Sequence, residues 1–179
     1  MKYKLPEYKK YIEQLNNETK EHSIRVAALC DKYAYTENVD RNKAYKVGLL
    51  HDIGKIFIPS RILKKDTSLT GLEREMIDLH SYYGYKILKE IGESKEIYLP
   101  VLFHHGFGKH RLTETDEPID EYDIKMIRLV HSIDIYDALT NKRVYHGAED
   151  SEKVFEILKK DILCSDRLLN AMHENMSDK

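Results

Sequence analysis

The sequence predicts an all-α fold, a compact bundle of roughly six or more helices. Apolar residues recur at helical spacing in nearly every periodic segment. The alternation of apolar and polar residues that marks a half-buried strand is absent over any useful length. Hydrophobic residues make up 41% of the 179 residues and charged residues 34%, which is typical of a globular protein with a buried core. We therefore expect a single domain over residues 1–179.

The first helices can be placed in order along the chain. One runs from Glu18 to about Tyr35, because its apolar residues follow the three, four, seven spacing of a single helix face. A second runs from Asn42 to His51, and Gly54 ends it. The stretch from Ile56 to Ile62 contains Pro59 and is predicted to be a short connector.

A capping box predicts where the next helix begins. Thr70 stands three residues before Glu73, and the helix should continue to about Ile91. The segment from Ser94 to His105 predicts a helix that is kinked near Pro100. The rest of the chain is predicted to form a polar loop and then three helices, over residues 106–120, 122–141, 152–161 and 165–176.

Composition excludes several classes of partner. The net charge of −2 gives no electrostatic reason to expect a nucleic acid polymer or an anionic membrane. The first ten residues lack the apolar core of a signal peptide, and no apolar run reaches the ~20 residues of a transmembrane helix. Cys30 and Cys164 lack metal-ligand spacing, and no disulfide framework is expected. These features predict a cytoplasmic protein with no membrane partner.

Histidines and carboxylates form the most informative pattern, because imidazole nitrogens and carboxylate oxygens are the ligands of transition-metal sites. His51 and Asp52 are adjacent near a helix end, where the histidine can ligate one ion while the carboxylate bridges to a second. Glu18 and His22 are four residues apart and share one helix face. The candidate metal ligands are Glu18, His22, His51, Asp52, His80, His104, His105 and Asp134.

The remaining candidates favour the same interpretation. His104 and His105 are adjacent where a helix meets a loop. His80 and Asp134 are predicted on apolar helix faces, where a carboxylate is costly unless it is paired or metal-bound. A single such histidine is more often an ordinary core residue, and capping or a salt bridge would explain Glu18 equally well. The coincidence of the whole set favours two or three ions close together, an arrangement typical of phosphate hydrolysis.

Other residues near these ligands receive different roles. Lys55 follows the His51–Asp52 pair by three residues and is expected to hold a substrate phosphate. His110 and His146 are predicted in loops or at the surface. His131 lies one turn before Asp134, yet a core or surface position is favoured over a place in the site.

Four motifs follow one another between residues 18 and 146. The first is Glu18-Thr19-Lys20-Glu21-His22-Ser23-Ile24-Arg25-Val26, and the second is His51-Asp52-Ile53-Gly54-Lys55-Ile56 with Ile58-Pro59 and Ile62-Leu63. The third is Leu69-Thr70 and Glu73 leading to His80 and Gly84, and the fourth is Asp134-Ile135-Tyr136-Asp137-Ala138-Leu139-Thr140 followed by Arg143 and Tyr145. In order and spacing they resemble the HD superfamily of metal-dependent phosphohydrolases, and within it the HD-GYP branch.

The resemblance carries expectations about fold and site. It implies an HD-domain helical bundle with a metal centre in its middle. It also implies that Glu18 matches a glutamate supporting a third ion in some members, and that Lys55, Asp137 and Arg143 lie near the substrate phosphate. The ligands it implies are His22, His51, Asp52, His80, His104, His105 and Asp134.

The chain departs from this branch after the double histidine. The family continues with a glutamate and then a glycine-tyrosine-proline signature, whereas this chain has Gly106-Phe107-Gly108-Lys109-His110-Arg111-Leu112. The metal ligands are kept, but the loop associated with recognition of cyclic-di-GMP is changed. We therefore expect weak or no turnover of cyclic-di-GMP relative to some other nucleotide.

The sequence thus predicts a metal-dependent phosphohydrolase, a phosphodiesterase or phosphatase acting on a nucleotide or cyclic nucleotide. Asp52 and Lys55 are the predicted catalytic residues, with two or three divalent ions of iron, manganese, nickel or zinc. One alternative is a catalytically weak or inactive nucleotide-sensing or interaction module of the same fold. Another is a purely structural helical domain, which would bind no metal.

Overall fold

The computed structural model of the chain describes residues 6–107, 115–141 and 151–177. The predicted substrate residue Arg143 lies outside these residues, as do His146 and the loop residues Lys109, His110 and Arg111. All regular secondary structure in the described residues is helical, so the predicted all-α fold class is confirmed. No helix in this part of the chain is long and apolar enough to cross a membrane.

Ten α-helices and one short 3₁₀ helix, η1, lie within the described residues. In chain order they are α1 (Lys9–Ile12), α2 (Asn17–Glu37), α3 (Arg41–Leu50), η1 (Ile53–Phe57), α4 (Ser60–Leu63), α5 (Gly71–Asp78), α6 (His80–Glu90), α7 (Lys95–Phe103), α8 (Glu121–Thr140), α9 (Ser151–Lys159) and α10 (Asp166–Ser177).

Most predicted helices agree with the structure to within two residues, and the capping box at Thr70 is present. The Thr70 hydroxyl accepts a hydrogen bond from the backbone N–H of Glu73, and the Glu73 carboxylate accepts one from that of Thr70. The first differences lie near the N-terminus and in the predicted connector. The connector over residues 56–62 contains the end of η1 and most of α4, and α1 was not predicted.

The single helix predicted up to Ile91 is in fact two helices, α5 and α6, which meet at Leu79. The side chains of His80 and Ser81 donate hydrogen bonds to the carbonyl oxygens three residues before them. These contacts compete with the regular helix ladder at this point. As a consequence His80 begins α6 and is not in the middle of a helix, as the sequence had suggested.

One cluster of buried apolar side chains extends from Val26 in α2 to Met172 in α10. Its helices pack closely, since a Cβ atom added at Gly48 in α3 would lie 2.8 Å from the Cα of Ala27 in α2. This contact brings the end of α3, which precedes His51, against the helix that carries His22. That the whole of residues 1–179 is one domain stays a prediction.

Candidate metal centre

The fold brings candidate ligands from five places in the chain to one buried point. Their side chains are buried or, for His105 and Asp134, partly buried. They are His22 from α2, His51 and Asp52 from the junction of α3 and η1, His80 from the start of α6, His104 and His105 from the end of α7, and Asp134 from α8.

The ligand atoms form three groups of three, within each of which they all lie within 4.8 Å of one another. Two of the groups share no residue, and the third, of His51, Asp52 and His104, overlaps both of them. The first group is His22, His51 and Asp134, and the second is His80, His104 and His105. Asp52 lies between the two groups. Its Oδ1 is 3.3 Å from Nε2 of His80, and its Oδ2 is 3.5 Å from Nε2 of His51. One carboxylate thus directs one oxygen to each group, which is the arrangement of a bridging ligand.

Backbone contacts fix the orientation of the histidine rings. Three of them, His51, His80 and His104, hold Nδ1 within 2.6–2.7 Å of the carbonyl oxygen three residues earlier. Since a carbonyl only accepts, Nδ1–H donates in each case, and Nε2 of the neutral ring carries the lone pair. All three Nε2 atoms therefore point at the centre of the site as potential ligands.

The donor atoms fit metal ions. Nε2 of His80 lies 3.2 Å from Nε2 of His104, and since Nδ1–H of both rings donates to a carbonyl, two lone pairs face one another unless a cation lies between them. Nε2 of His105 is also 3.2 Å from Nε2 of His80. Nε2 of His51 is buried without a hydrogen-bond partner. Burial lowers the pKa of His80 to about 4 and that of His104 well below its usual value, so both rings are neutral at pH 7. Nitrogen and carboxylate donors together suit iron, manganese, nickel or zinc.

Asp137 lies behind His22, on the side away from the other ligands. Its Oδ2 accepts a hydrogen bond from Nδ1–H of His22 at 2.7 Å, and both of its oxygens accept from Arg25. Asn141 adds a third donor, at 2.9 Å from Oδ1. With these protein donors the carboxylate is suited to orienting His22. The role near the substrate phosphate that the resemblance implied for Asp137 stays a prediction.

Charge on His22 differs from that on the other ligands. Burial lowers its pKa, but hydrogen bonds with Asp134 and Asp137 outweigh burial and raise the pKa to about 9. Burial by itself would raise the pKa of Asp52, but Lys55 and the surrounding histidines lower it well below its usual range. The centre thus contains ionised carboxylates beside a protonated His22 and the neutral rings of His80 and His104.

Two cavities meet at Asp52 and Lys55. The larger, of about 390 Å³, is polar and includes Arg25 and Glu18 in its wall. The smaller, of about 310 Å³, has an apolar side formed by Ile77, Ile135, Ala138 and Leu139. Lys55 reaches both cavities, and its Nζ lies 2.6 Å from Oδ2 of Asp52.

Glu18 is exposed at the larger cavity and belongs to none of the three groups of ligands. Its role toward a third ion stays a prediction. Sequence reasoning overlooked Arg25 and placed His131 in the core or at the surface. The sequence separation of both residues could have indicated a place near the site. Arg25 follows His22 by three residues and His131 precedes Asp134 by three, so each lies on the same helix face as a candidate ligand.

Gly54 allows η1 to approach α6 closely enough to join the two groups. A Cβ atom at this position would lie 2.0 Å from the carbonyl oxygen of His80 and 2.5 Å from the nitrogen of Gly84. We expect Gly54→Ala to lower the free energy of unfolding by about 1–3 kcal/mol or more, as overpacking does, and to weaken metal binding. Chemical denaturation and metal titration check this. The control is Gly71→Ala, where nothing lies within 4 Å; an equal loss there would contradict the argument.

Metal uptake should release a proton from His22. A ligand nitrogen must give up its hydrogen, and the pKa of His22 is about 9, whereas that of His80 is about 4. Between pH 6 and 9 the affinity of the ion at His22 should rise up to about tenfold per pH unit. The other ion should depend less on pH in that range, because the rings of His80 and His104 are already neutral. Calorimetric titration in buffers of different ionisation enthalpy measures the release, and metal uptake at pH 7 without a proton from His22 would contradict it.

A family model described as the HD domain matches residues 19–142, and the chain belongs to this family. The match includes every candidate ligand except Glu18. An all-helical HD fold with histidine and aspartate clusters able to bind metal is therefore established for this chain.

Relatives and solved structures agree with that assignment. The chain is 30% identical over 148 residues to the 3'3'-cGAMP-specific phosphodiesterase 3 of Vibrio cholerae, covering 79% of this chain and 31% of the relative. It is 30% identical over 130 residues to a cyclic di-GMP phosphodiesterase of Pseudomonas aeruginosa, covering 69% and 31%. The chain thus spans about a third of the length of these relatives. The HD domain of the L. monocytogenes phosphodiesterase PgpH has the same fold, with a TM-score of 0.66 at 21% identity over 95% of this chain and 99% of that one.

Proposed function

We propose that the chain is a metal-dependent phosphodiesterase acting on a nucleotide or cyclic nucleotide. The observation that carries the proposal is the position of Asp52, which directs one oxygen to each of two three-residue groups of buried ligands. Two ions held in this way would lower the pKa of a bound water and neutralise charge on a phosphate. We propose His22, His51 and Asp134 as ligands of one ion and His80, His104 and His105 as ligands of the other, with Asp52 shared.

Lys55 is the proposed contact to the substrate phosphate. Its side chain is 19% exposed and reaches both cavities, so a phosphate beside Asp52 lies within its range. Its ammonium donates hydrogen bonds to phosphate oxygens and stabilises negative charge that develops there. Arg143 stays a candidate for the same task by its sequence position alone.

The two cavities suit a substrate that extends to both sides of its phosphate. A phosphodiester has a group on each side, and the polar and apolar cavities on either side of Asp52 offer separate sites for them. The names of the relatives supply the substrate class, since they act on 3'3'-cGAMP and cyclic di-GMP. We therefore propose a cyclic dinucleotide, with cyclic-di-GMP disfavoured because the sequence after His105 lacks the glycine-tyrosine-proline signature.

A substrate panel with Mn²⁺ or Fe²⁺ tests the proposal. The panel contains 3'3'-cGAMP, cyclic-di-GMP, cyclic-di-AMP, linear dinucleotides, mononucleotides and a short RNA, with His51→Ala as the inactive control. We expect hydrolysis of at least one cyclic dinucleotide, little cleavage of RNA, and cyclic-di-GMP below the best substrate. A preference of tenfold or more for cyclic-di-GMP would contradict the role given to the changed loop. Metal binding without turnover of any member would favour the sensing module.

A further inference from the structure

His131 joins the candidate metal centre to the C-terminal part of the chain. It lies on α8 and is 7% exposed. Its Nδ1–H donates to the backbone carbonyl oxygen of His104 at 2.7 Å, and its Nε2 lies 3.0 Å from Oδ2 of Asp161. The ring therefore links the backbone of one proposed ligand with a carboxylate that lies between α9 and α10.

Asp161 is itself held in place by its own segment. Its Oδ1 accepts a hydrogen bond from the backbone N–H of Leu163 at 2.9 Å, so one oxygen fixes the turn while the other faces His131. The side chain of Leu163 lies close to Gly106, since a Cβ there would be 3.4 Å from Cδ1 of Leu163. The segment after α9 thus contacts the turn that carries His104 and His105 both through His131 and directly.

We propose that His131 and Asp161 are positioning residues for His104 and His105, and that the segment between α9 and α10 completes the second half of the metal centre. This inference rests on the metal centre of the proposed function. The family match ends at residue 142, so Asp161 lies beyond the part of the chain that the HD model covers.

The effect of the pair should be confined to one ion. Nδ1 of His104 is already held by the carbonyl of Val101, and His131 fixes the carbonyl of His104 itself. Together these contacts fix the orientation of the peptide bond between His104 and His105. Loss of such outer contacts typically weakens metal binding by about 10–100-fold. His22 is oriented separately by Asp137, so its ion should not respond.

Titration with Mn²⁺ alone, followed by calorimetry and electron paramagnetic resonance, tests the inference without any substrate. Asp161→Ala and His131→Leu should each weaken one of two bound ions by about 10–100-fold and leave the other unchanged. His131→Asn should bind more tightly than His131→Leu but no more tightly than Asp161→Ala, because its amide can donate to the His104 carbonyl from the position of Nδ1 but does not replace the contact of Nε2 with Asp161. The matched control is Ile162→Ser, at a side chain that is 92% exposed next to Asp161; it should behave like the wild-type protein.

A double-mutant comparison identifies which ion responds. In a His105→Ala background the effect of Asp161→Ala should be smaller, because only His104 is left to position, whereas in a His22→Ala background its effect should persist in full. Equal weakening of both ions, in step with a lower unfolding temperature, would assign the pair to general stability and overturn the inference. Unchanged Mn²⁺ binding in Asp161→Ala would overturn it as well. A wild-type protein that binds no Mn²⁺ would instead overturn the metal centre, and the inference with it.

Discussion

Asp52→Ala should abolish hydrolysis and remove much of the bound metal. We expect activity to fall by about 10³-fold or more, since the ions supply several kcal/mol of transition-state stabilisation and each tenfold in rate corresponds to about 1.4 kcal/mol. The reason is geometric, because Oδ1 of Asp52 faces His80 while Oδ2 faces His51 and His22. One substitution therefore withdraws a ligand from both ions.

Metal analysis of protein purified without chelator, together with turnover of the best substrate in the panel, measures both effects. The control is Asp66→Ala, which removes a carboxylate at an exposed position away from the ligands in sequence and should change neither metal content nor turnover. Wild-type metal content in Asp52→Ala would contradict the bridging role. Asp52 would then serve as the partner of Lys55, to which it is 2.6 Å away.

Helical periodicity predicts much of this site. The parts that it does not predict share one cause. The sequence predicts His80 and Asp134 on apolar helix faces, and His22 on the same face as Glu18, because spacing along one helix fixes which side chains share a face. The contact of Arg25 with Asp137 joins residues 112 positions apart, so it depends on how α2 packs against α8. Such packing is not encoded in the period of either helix.

Backbone acceptors were harder to foresee than side-chain partners. The ring of His131 donates to the carbonyl of His104, and His80 holds the carbonyl of Ile77. A carbonyl is present at every residue, so residue identities give no signal for these contacts. The division at Leu79 escaped prediction for the same reason, since it accompanies side-chain bonds to carbonyls inside an otherwise regular apolar pattern.

Lys55→Met should separate metal binding from catalysis. The ammonium of Lys55 pairs with Oδ2 of Asp52, the same oxygen that faces His51 and His22. With metal bound at Asp52 the ammonium would be repelled from this carboxylate, and Lys55 would be available to a substrate phosphate in either cavity. Loss of one such donor at a site of developing charge typically costs about 10²–10³-fold in kcat. We therefore expect kcat/KM to fall by about that factor.

Metal affinity should be retained or slightly increased in Lys55→Met, because the substitution removes a cation that competes for Asp52. Steady-state kinetics and Mn²⁺ titration of the same preparation measure the two quantities independently. Lys86→Met, at an exposed residue of α6, is the control for the loss of a lysine. If kcat/KM stays within about threefold of wild type, Lys55 contributes less than about 1 kcal/mol to stabilisation of the transition state. Lys55 would then be only the counter-charge of Asp52, and the phosphate contact would have to come from another residue.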